Sequence, residues 1–394
     1  MSDYKVTWAD FKFILPLLVM GVLAQFGSDN YLPSYPILSQ YFDVSNTMIK
    51  WSMSAYLVGM GSCQLIFGPL SDYIGRKPVF AFGFLVFAVG GIVCALSHTI
   101  ASFLLGRFIQ GAGMGAGMAL YRAIMRDCFS GNKLAKVSAI VVMCVGLTPP
   151  LAPITGGYIQ HYFNWQMNFY LMSFIGVVYL VFMTLYFPET SPKSLAGKQW
   201  FPLVRANAKR ALSTPVFTVN LIRSGLSYAS IITYLTMSPY LFQDVMHMNP
   251  VDYGWTNIVN AAGFLVGGTI NACLIGRFSV NQLMSVGVIS IVIGAFLLVI
   301  TGVFQWVAPL PVLFSVFIAF MGCGFMFSNA SAAALQPFPD SAGLVGAIFG
   351  CFQVLIAALA SVVAGFIYVH NQEYIGIVML SFGLIMLVLR RVYH

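Results

Sequence analysis

"GPLSDYIGRKP", residues 68–78, decides how the rest of the chain is read. It sets one acid and two bases, Asp72, Arg76 and Lys77, between two apolar runs at 48–68 and 79–97. Each run has about the 20 residues that a helix needs to cross the hydrocarbon core of a bilayer. Gly75 and Pro78 suit a tight turn. A short charged link between two membrane-length runs is the turn between two antiparallel transmembrane helices.

Working outward, the same pattern repeats. Of 394 residues, 59% are hydrophobic, 15% aromatic and only 8% charged. A soluble domain carries about 25% charged residues, so this chain must face lipid over much of its area. Twelve apolar runs are predicted as spans: 13–33, 48–68, 79–97, 101–122, 135–159 and 165–187, then 215–241, 253–275, 283–303, 309–333, 342–367 and 373–390. The first run follows Lys5 and Lys12 and is too long for a signal sequence, so it reads as a retained span. A polar stretch, "PETSPKSLAGKQWFPLVRANAKRALSTP", separates the two sets of six. The expected organisation is a first bundle over 1–188, a linker over 189–214 and a second bundle over 215–394. The fold class is an all-α membrane protein.

The net charge of +8 lies in short clusters between the runs, a pattern of membrane topology rather than of a nucleic-acid face. Arg76, Lys77, Arg126, Lys133, Lys136 and Arg277 fall in alternate loops, with Lys193, Lys198, Arg205, Lys209 and Arg210 in the linker and Arg390 and Arg391 at the tail. The other loops carry acids, Asp43, Asp244, Asp252 and Glu373, and Lys50 is their one basic exception. This asymmetry predicts a multi-pass protein with both termini in the cytoplasm. The seven cysteines form no CxxC pair. Cys63, Cys94, Cys144, Cys273, Cys323 and Cys351 lie in apolar runs and Cys128 in an inner loop, so no disulfide framework is expected.

Residues 68–78 resemble the loop signature of the major facilitator superfamily, G-x-L-S-D-R-x-G-R-R-P, matching at Gly68, Leu70, Ser71, Asp72, Gly75, Arg76 and Pro78. Tyr73 replaces the first arginine of that pattern. "RFIQGAG", Arg107–Gly113, resembles the span-4 motif R-x-x-Q-G-x-G, and "APITGG", Ala152–Gly157, resembles the antiporter motif G-P-x-x-G-G with Ala152 in place of its first glycine. "DNYLPSYP" after span 1, "FPET" after span 6 and "PFPDSAG" at 337–343 are similar to the Bcr/CflA branch of the drug–proton antiporters. The resemblance covers essentially the whole chain. It implies twelve helices in two pseudo-symmetric six-helix bundles, with a substrate site between them near the midplane. The second half repeats the signature only as Gly268 and "GRF" at Gly276–Phe278. The "GAGMGAG" run at Gly111–Gly117 reads as tight helix packing, since no lysine follows it as a phosphate loop requires.

Charged residues inside spans are functional hypotheses by default, because each costs about 2.5–3.5 kcal/mol at a helix centre on insertion scales. Asp29 lies near the far end of the first run, with Gln25 one turn below it on the same face. Arg107 stands at matching depth in span 4, so a pair is feasible. Two readings stay open: a fixed Asp29–Arg107 ion pair fastening two helices, or an Asp29 that accepts a coupling proton while competing for substrate. The resemblance implies the second, with an essential membrane acid in span 1. Arg223 in span 7 is either a snorkelling arginine or a cationic contact for an anionic group. Gln25, Tyr31, Gln110, Tyr121, Tyr234, Asn257, Asn260 and Gln353 are candidate substrate contacts, although polar residues also fasten membrane helices together. Gly68, Asp72, Gly75 and Arg76, with Pro153, Gly156 and Gly157, are the residues of conformational change.

The expected function is secondary active transport by alternating access: proton-driven export of small amphipathic or drug-like molecules. The alternative is a transporter of a specific anionic metabolite, such as a carboxylate siderophore, in either direction. An intramembrane enzyme is disfavoured, because the chain has no HExxH and no GxSG and no histidine stands near Asp29. A channel is disfavoured by two sets of six spans interrupted by Gly and Pro. No catalytic residue, metal site, cofactor or nucleic-acid partner is expected; the proton gradient is the driving force, and the protein is expected to be a monomer in a bacterial inner membrane.

Overall fold

The computed structural model describes residues 8–129, 133, 134, 137, 141, 148–191 and 200–392. Lys5, Lys136, Cys144, Lys193 and Lys198, used above, lie outside these residues. Among the described residues the regular elements are helices, and one isolated bridge joins Ile275 and Phe278. In the first half stand α1 (Trp8–Asp29), the short α2 (Tyr35–Tyr41), α3 (Asn46–Ile74), α4 (Arg76–Ala95), α5 (Ile100–Cys128), α6 (Thr148–Tyr162) and α7 (Trp165–Tyr186). A short α8 (Trp200–Leu212) follows. The second half holds α9 (Pro215–Tyr240), α10 (Pro250–Leu274), α11 (Val280–Val303), α12 (Pro309–Leu335), α13 (Ala342–Gly365) and α14 (Glu373–Val392).

Twelve of these helices fall on the twelve predicted runs, among the described residues. Eight segments are long and apolar enough to cross a membrane by length and composition. Neither α5 nor α9 is among them, because each carries buried polar groups: Arg107 and Gln110 on α5, Arg223 and a series of hydroxyls on α9. The least lipid-like helices are therefore the ones with chemistry to place. Their starts are set by ordinary caps. Thr99, Asn164, Asn249 and Ser279 each accept the backbone N–H three residues on, at the heads of α5, α7, α10 and α11.

Packing within the first half centres on α5, which lies against α3 and α4. The glycine run makes this possible. A side chain at Gly111 would strike the carbonyl of Tyr56, and one at Gly113 would strike the backbone of Phe87. The halves meet along α3 with α13 and along α6 with α10.

Three details depart from the sequence reading. The first span does not run evenly from 13 to 33: α1 stops at Asp29, Leu32–Ser34 form a 3-10 turn, and α2 continues from Tyr35. Pro33 and Pro36 cannot donate to a regular helical ladder, which is the physical reason for the break. Cys128 is the last residue of α5 rather than a loop residue. Finally, the repeat hidden in motif is visible in backbone. Among the described residues Gly75 (φ 112°) and Gly276 (φ 87°) are the glycines with positive φ, each in an Ile-Gly-Arg turn at the same place in its half.

Gly111→Val tests the α3–α5 contact. Overpacking of this kind costs about 1–3 kcal/mol, so the variant should show a lower thermal midpoint than wild type in detergent, whereas Gly68→Ala, whose added carbon meets only ordinary contact with Ala119, should not.

Candidate functional site

The site is built around Arg107. Its residue surface is 0% exposed, about two turns into α5. Its guanidinium lies 4.2 Å from the centre of the Tyr31 ring and 4.4 Å from that of Tyr56, so two aromatic faces hold the cation. Nη1 donates to Gly27 O at 2.8 Å and to Gln110 Oε1 at 2.5 Å. Nε and Nη2, with Gln110 Nε2, are buried without a hydrogen-bond partner. Gly27 lies in the last turn of α1, where unpaired carbonyls favour a cation.

Asp29 is the final residue of α1 and is 2% exposed. The sequence made an Asp29–Arg107 pair feasible; the structure does not form one among the described residues. The reason is geometric: Arg107 is taken up by the Gly27 carbonyl, Gln110 and two tyrosine rings. Asp29 Oδ1 instead accepts Ser28 Oγ at 2.6 Å. Tyr228 of α9 and Tyr253 of α10, both from the second half, lie within reach of its charge. Asp29 therefore stands where the halves meet, close to a cation but not bonded to it.

The break after Asp29 is fixed by a polar cluster that the sequence did not single out. Asn30 Nδ2 donates to Asn168 Oδ1 at 2.9 Å, and Thr155 Oγ1 donates to Asn30 Oδ1 at 3.0 Å. Gly156 lets α6 approach the Asn30 carbonyl, and Gly157 lets it approach Pro250 of α10 across the interface. Gly254 in turn fits against Pro153 O. The antiporter-like motif thus joins the Asp29 break to the other half. Spacing could have flagged Thr155 within that motif, and Asn30 lies in "DNYLPSYP" without a partner marked there; nothing in the sequence pointed to Asn168.

The remaining candidates divide into groups. In the second half, Asn260 Nδ2 donates to Asn257 Oδ1 at 3.0 Å and Asn257 Nδ2 to Tyr253 O at 3.1 Å, while Tyr253 and Ser238 share a hydrogen bond of 3.0 Å. Tyr234 is buried beside this chain. Gln353 Nε2 donates to Ser224 Oγ at 2.6 Å, next to the buried Arg223. Gln25 is half-buried, its carbonyl accepting Ser28 Oγ at 2.9 Å. Tyr121 lies apart from the Arg107 group, its hydroxyl accepting Arg122 Nε at 2.9 Å.

The signature loop forms a second centre. Arg76 pairs with Asp72 at 2.5 Å and with Asp127 at 2.9 Å, and donates to Ser71 Oγ at 2.6 Å. Asp127 and Glu189 were not anticipated. With Tyr73 in the place of an arginine, Arg76 carries the network. Glu189, from "FPET", accepts the backbone N–H groups of Arg76 at 2.9 Å and Lys77 at 3.1 Å, at the head of α4. Partial burial works against its charge, but these bonds and that from Ser191 outweigh it and lower its pKa from the ordinary 4.5.

Among the described residues no group of three or more His, Cys, Asp or Glu could hold a metal ion. The arrangement is one of paired polar clusters at an interface between two helical bundles, suited to moving a solute.

Comparison with known proteins agrees. The Major Facilitator Superfamily model matches residues 17–361. The chain belongs to the major facilitator superfamily and is a multi-pass membrane transporter, not an enzyme. It is 30% identical to the multidrug resistance protein MdtL of Salmonella typhi, over 88% of this chain and 86% of that one. It is 26% identical to a bicyclomycin resistance protein homolog of Haemophilus influenzae, over 91% and 89%. Its fold matches the xylose transporter XylE of E. coli in a partially occluded inward-open conformation, with a TM-score of 0.78, 14% identity and 98% of both chains covered.

Glu189→Gln gives a pH test. A lowered folded pKa contributes stability above the ordinary value of 4.5 that is lost as pH falls through the folded value. The wild type should therefore melt higher than the variant at pH 7, and the difference should close as pH falls below about 4.5.

Proposed function

We propose that the protein exports small amphipathic, drug-like molecules across a bacterial inner membrane in exchange for protons, with Asp29 as the proton-accepting group. The observation that carries this reading is the placement of Asp29: buried at a break in α1, facing the second half, and near Arg107 without a bond to it. A carboxylate fastened in a salt bridge has no ready exchange of protons; one held beside a cation at a moving interface does. The named relatives, a multidrug resistance protein and a bicyclomycin resistance homolog, favour drug-like molecules over a specific anionic metabolite.

In this reading both termini and the signature loop lie in the cytoplasm, as the basic residues demand. Rocking of α1–α7 against α9–α14 exposes the interface to each side in turn. Arg107 lowers the cost of charge on Asp29, and Tyr31, Gln110, Tyr234, Asn257, Asn260 and Gln353 offer hydrogen bonds and ring faces to the solute. Arg223 adds a cation beside Gln353. Pro153 shapes α6, and Pro33 and Pro36 shape the break after Asp29. The protein works as a monomer and needs no cofactor beyond the proton gradient.

Proton release on ligand addition tests this reading, using purified protein and a panel of cationic, neutral and carboxylate compounds. Wild type should release protons with a ligand that binds; Asp29→Asn should bind the same ligand with no release. Equal release from both proteins would move the coupling site elsewhere.

A further inference from the structure

Lys50 is the one basic residue that the charge pattern leaves at the end of the molecule opposite the signature loop. A lysine near the end of a span ordinarily extends its ammonium into water. This one is 1% exposed. Its Nζ donates to Ile367 O at 2.7 Å and lies 5.2 Å from the centre of the Tyr240 ring. Lys50 belongs to α3 of the first half; Ile367 and Tyr240 both belong to the second.

The chemistry of the contact is specific. Ile367 stands two residues past the end of α13, where unpaired carbonyls give the helix terminus a partial negative charge. An ammonium is the side-chain group suited to that position, and the tyrosine face adds a cation–π contact. Among the described residues no acid pairs with Lys50. The adjacent Trp51 stacks edge-on against Phe366, ring centres 5.4 Å apart, so Lys50 and Trp51 dock together on the end of α13.

Nearby bonds across the interface are neutral. Tyr240 and Ser39 share a hydrogen bond of 3.1 Å, and Gln243 Nε2 donates to Pro33 O at 3.1 Å. Lys50 supplies the charged contact of this closure. Its ammonium is compatible with burial only while the second half covers it; when the halves part at this end, water replaces both the carbonyl and the ring.

We propose that Lys50 is the latch that holds the two halves together at the end opposite the signature loop, a positioning residue of the transport cycle. It stabilises the state closed at this end and releases when the halves rock apart. The inference rests on that rocking, put forward under the proposed function, and not on the identity of the proton acceptor.

The test is double electron–electron resonance on the full-length protein in nanodiscs, without substrate. Nitroxides are placed at Gln40→Cys and His370→Cys, both exposed at this end, with the native cysteines replaced. The labelled parent should be dominated by a short distance. Lys50→Met should raise the ratio of long to short distances roughly tenfold or more, the scale of losing a hydrogen bond to a charged group, while Lys50→Arg keeps the short one. Tyr240→Leu removes the ring from the other side and should shift the ratio in the same direction, while Tyr240→Phe, which keeps the ring and loses only the hydroxyl bonded to Ser39, should stay near the parent; this pair keeps the test open if Lys50→Met does not fold. Unchanged distances in both Lys50→Met and Tyr240→Leu overturn the latch. The same Lys50 dependence on an Asp29→Asn background would support the latch whether or not Asp29 carries the coupling proton.

Discussion

A guanidinium buried between two tyrosine rings sets the geometry on which the rest of the site depends. Arg107 sits 4.2 Å and 4.4 Å from the rings of Tyr31 and Tyr56 and donates to the carbonyl of Gly27. A desolvated cation is costly, and the rings and carbonyl offset part of that cost without supplying a full counter-charge. The contact with Gly27 holds the last turn of α1, just ahead of the break that follows Asp29. Asp29 is therefore close to a positive charge with which, among the described residues, no acid forms an ion pair.

From that point the fold distributes two different kinds of contact. Near Asp29 the links between elements are neutral amides and hydroxyls: Asn30 with Thr155 and Asn168, and Ser238 of α9 with Tyr253 of α10. Such bonds can be exchanged for water or solute at modest net cost. At the signature loop the links are ionic, with Arg76 joined to Asp72 and Asp127 and the head of α4 bound by Glu189. The first set suits a region that changes partners, the second a region that moves as a unit.

Much of this was legible in the sequence. Length and hydropathy placed the spans, the charge asymmetry grouped the loops, and Asp29 and Arg107 stood out as charges inside apolar runs. The glycine run of α5 read correctly as packing, because residues without side chains have little other use along a membrane helix. The partner of Arg107 was not legible: matching depth suggested a carboxylate, but a backbone carbonyl and aromatic faces leave no mark in a pattern of charged residues. The break at Leu32–Ser34 was half legible: Pro33 and Pro36 mark where a regular ladder fails, but hydropathy alone looks alike whether the helix is regular or tightened. Lys50 appeared as an exception to a rule; only the position of Ile367, 317 residues away, gives it a partner. Asp127 and Glu189 escaped notice because their roles depend on where helix ends meet, not on spacing.

The most direct test of the account is transport in proteoliposomes under an imposed pH gradient, wild type beside Asp29→Asn, with a compound shown to bind both. The account predicts that wild type concentrates the compound only while the gradient lasts. Asp29→Asn should still equilibrate it down its own gradient but should ignore the difference in pH. Accumulation driven by pH in Asp29→Asn would contradict the assignment of the coupling proton to this carboxylate.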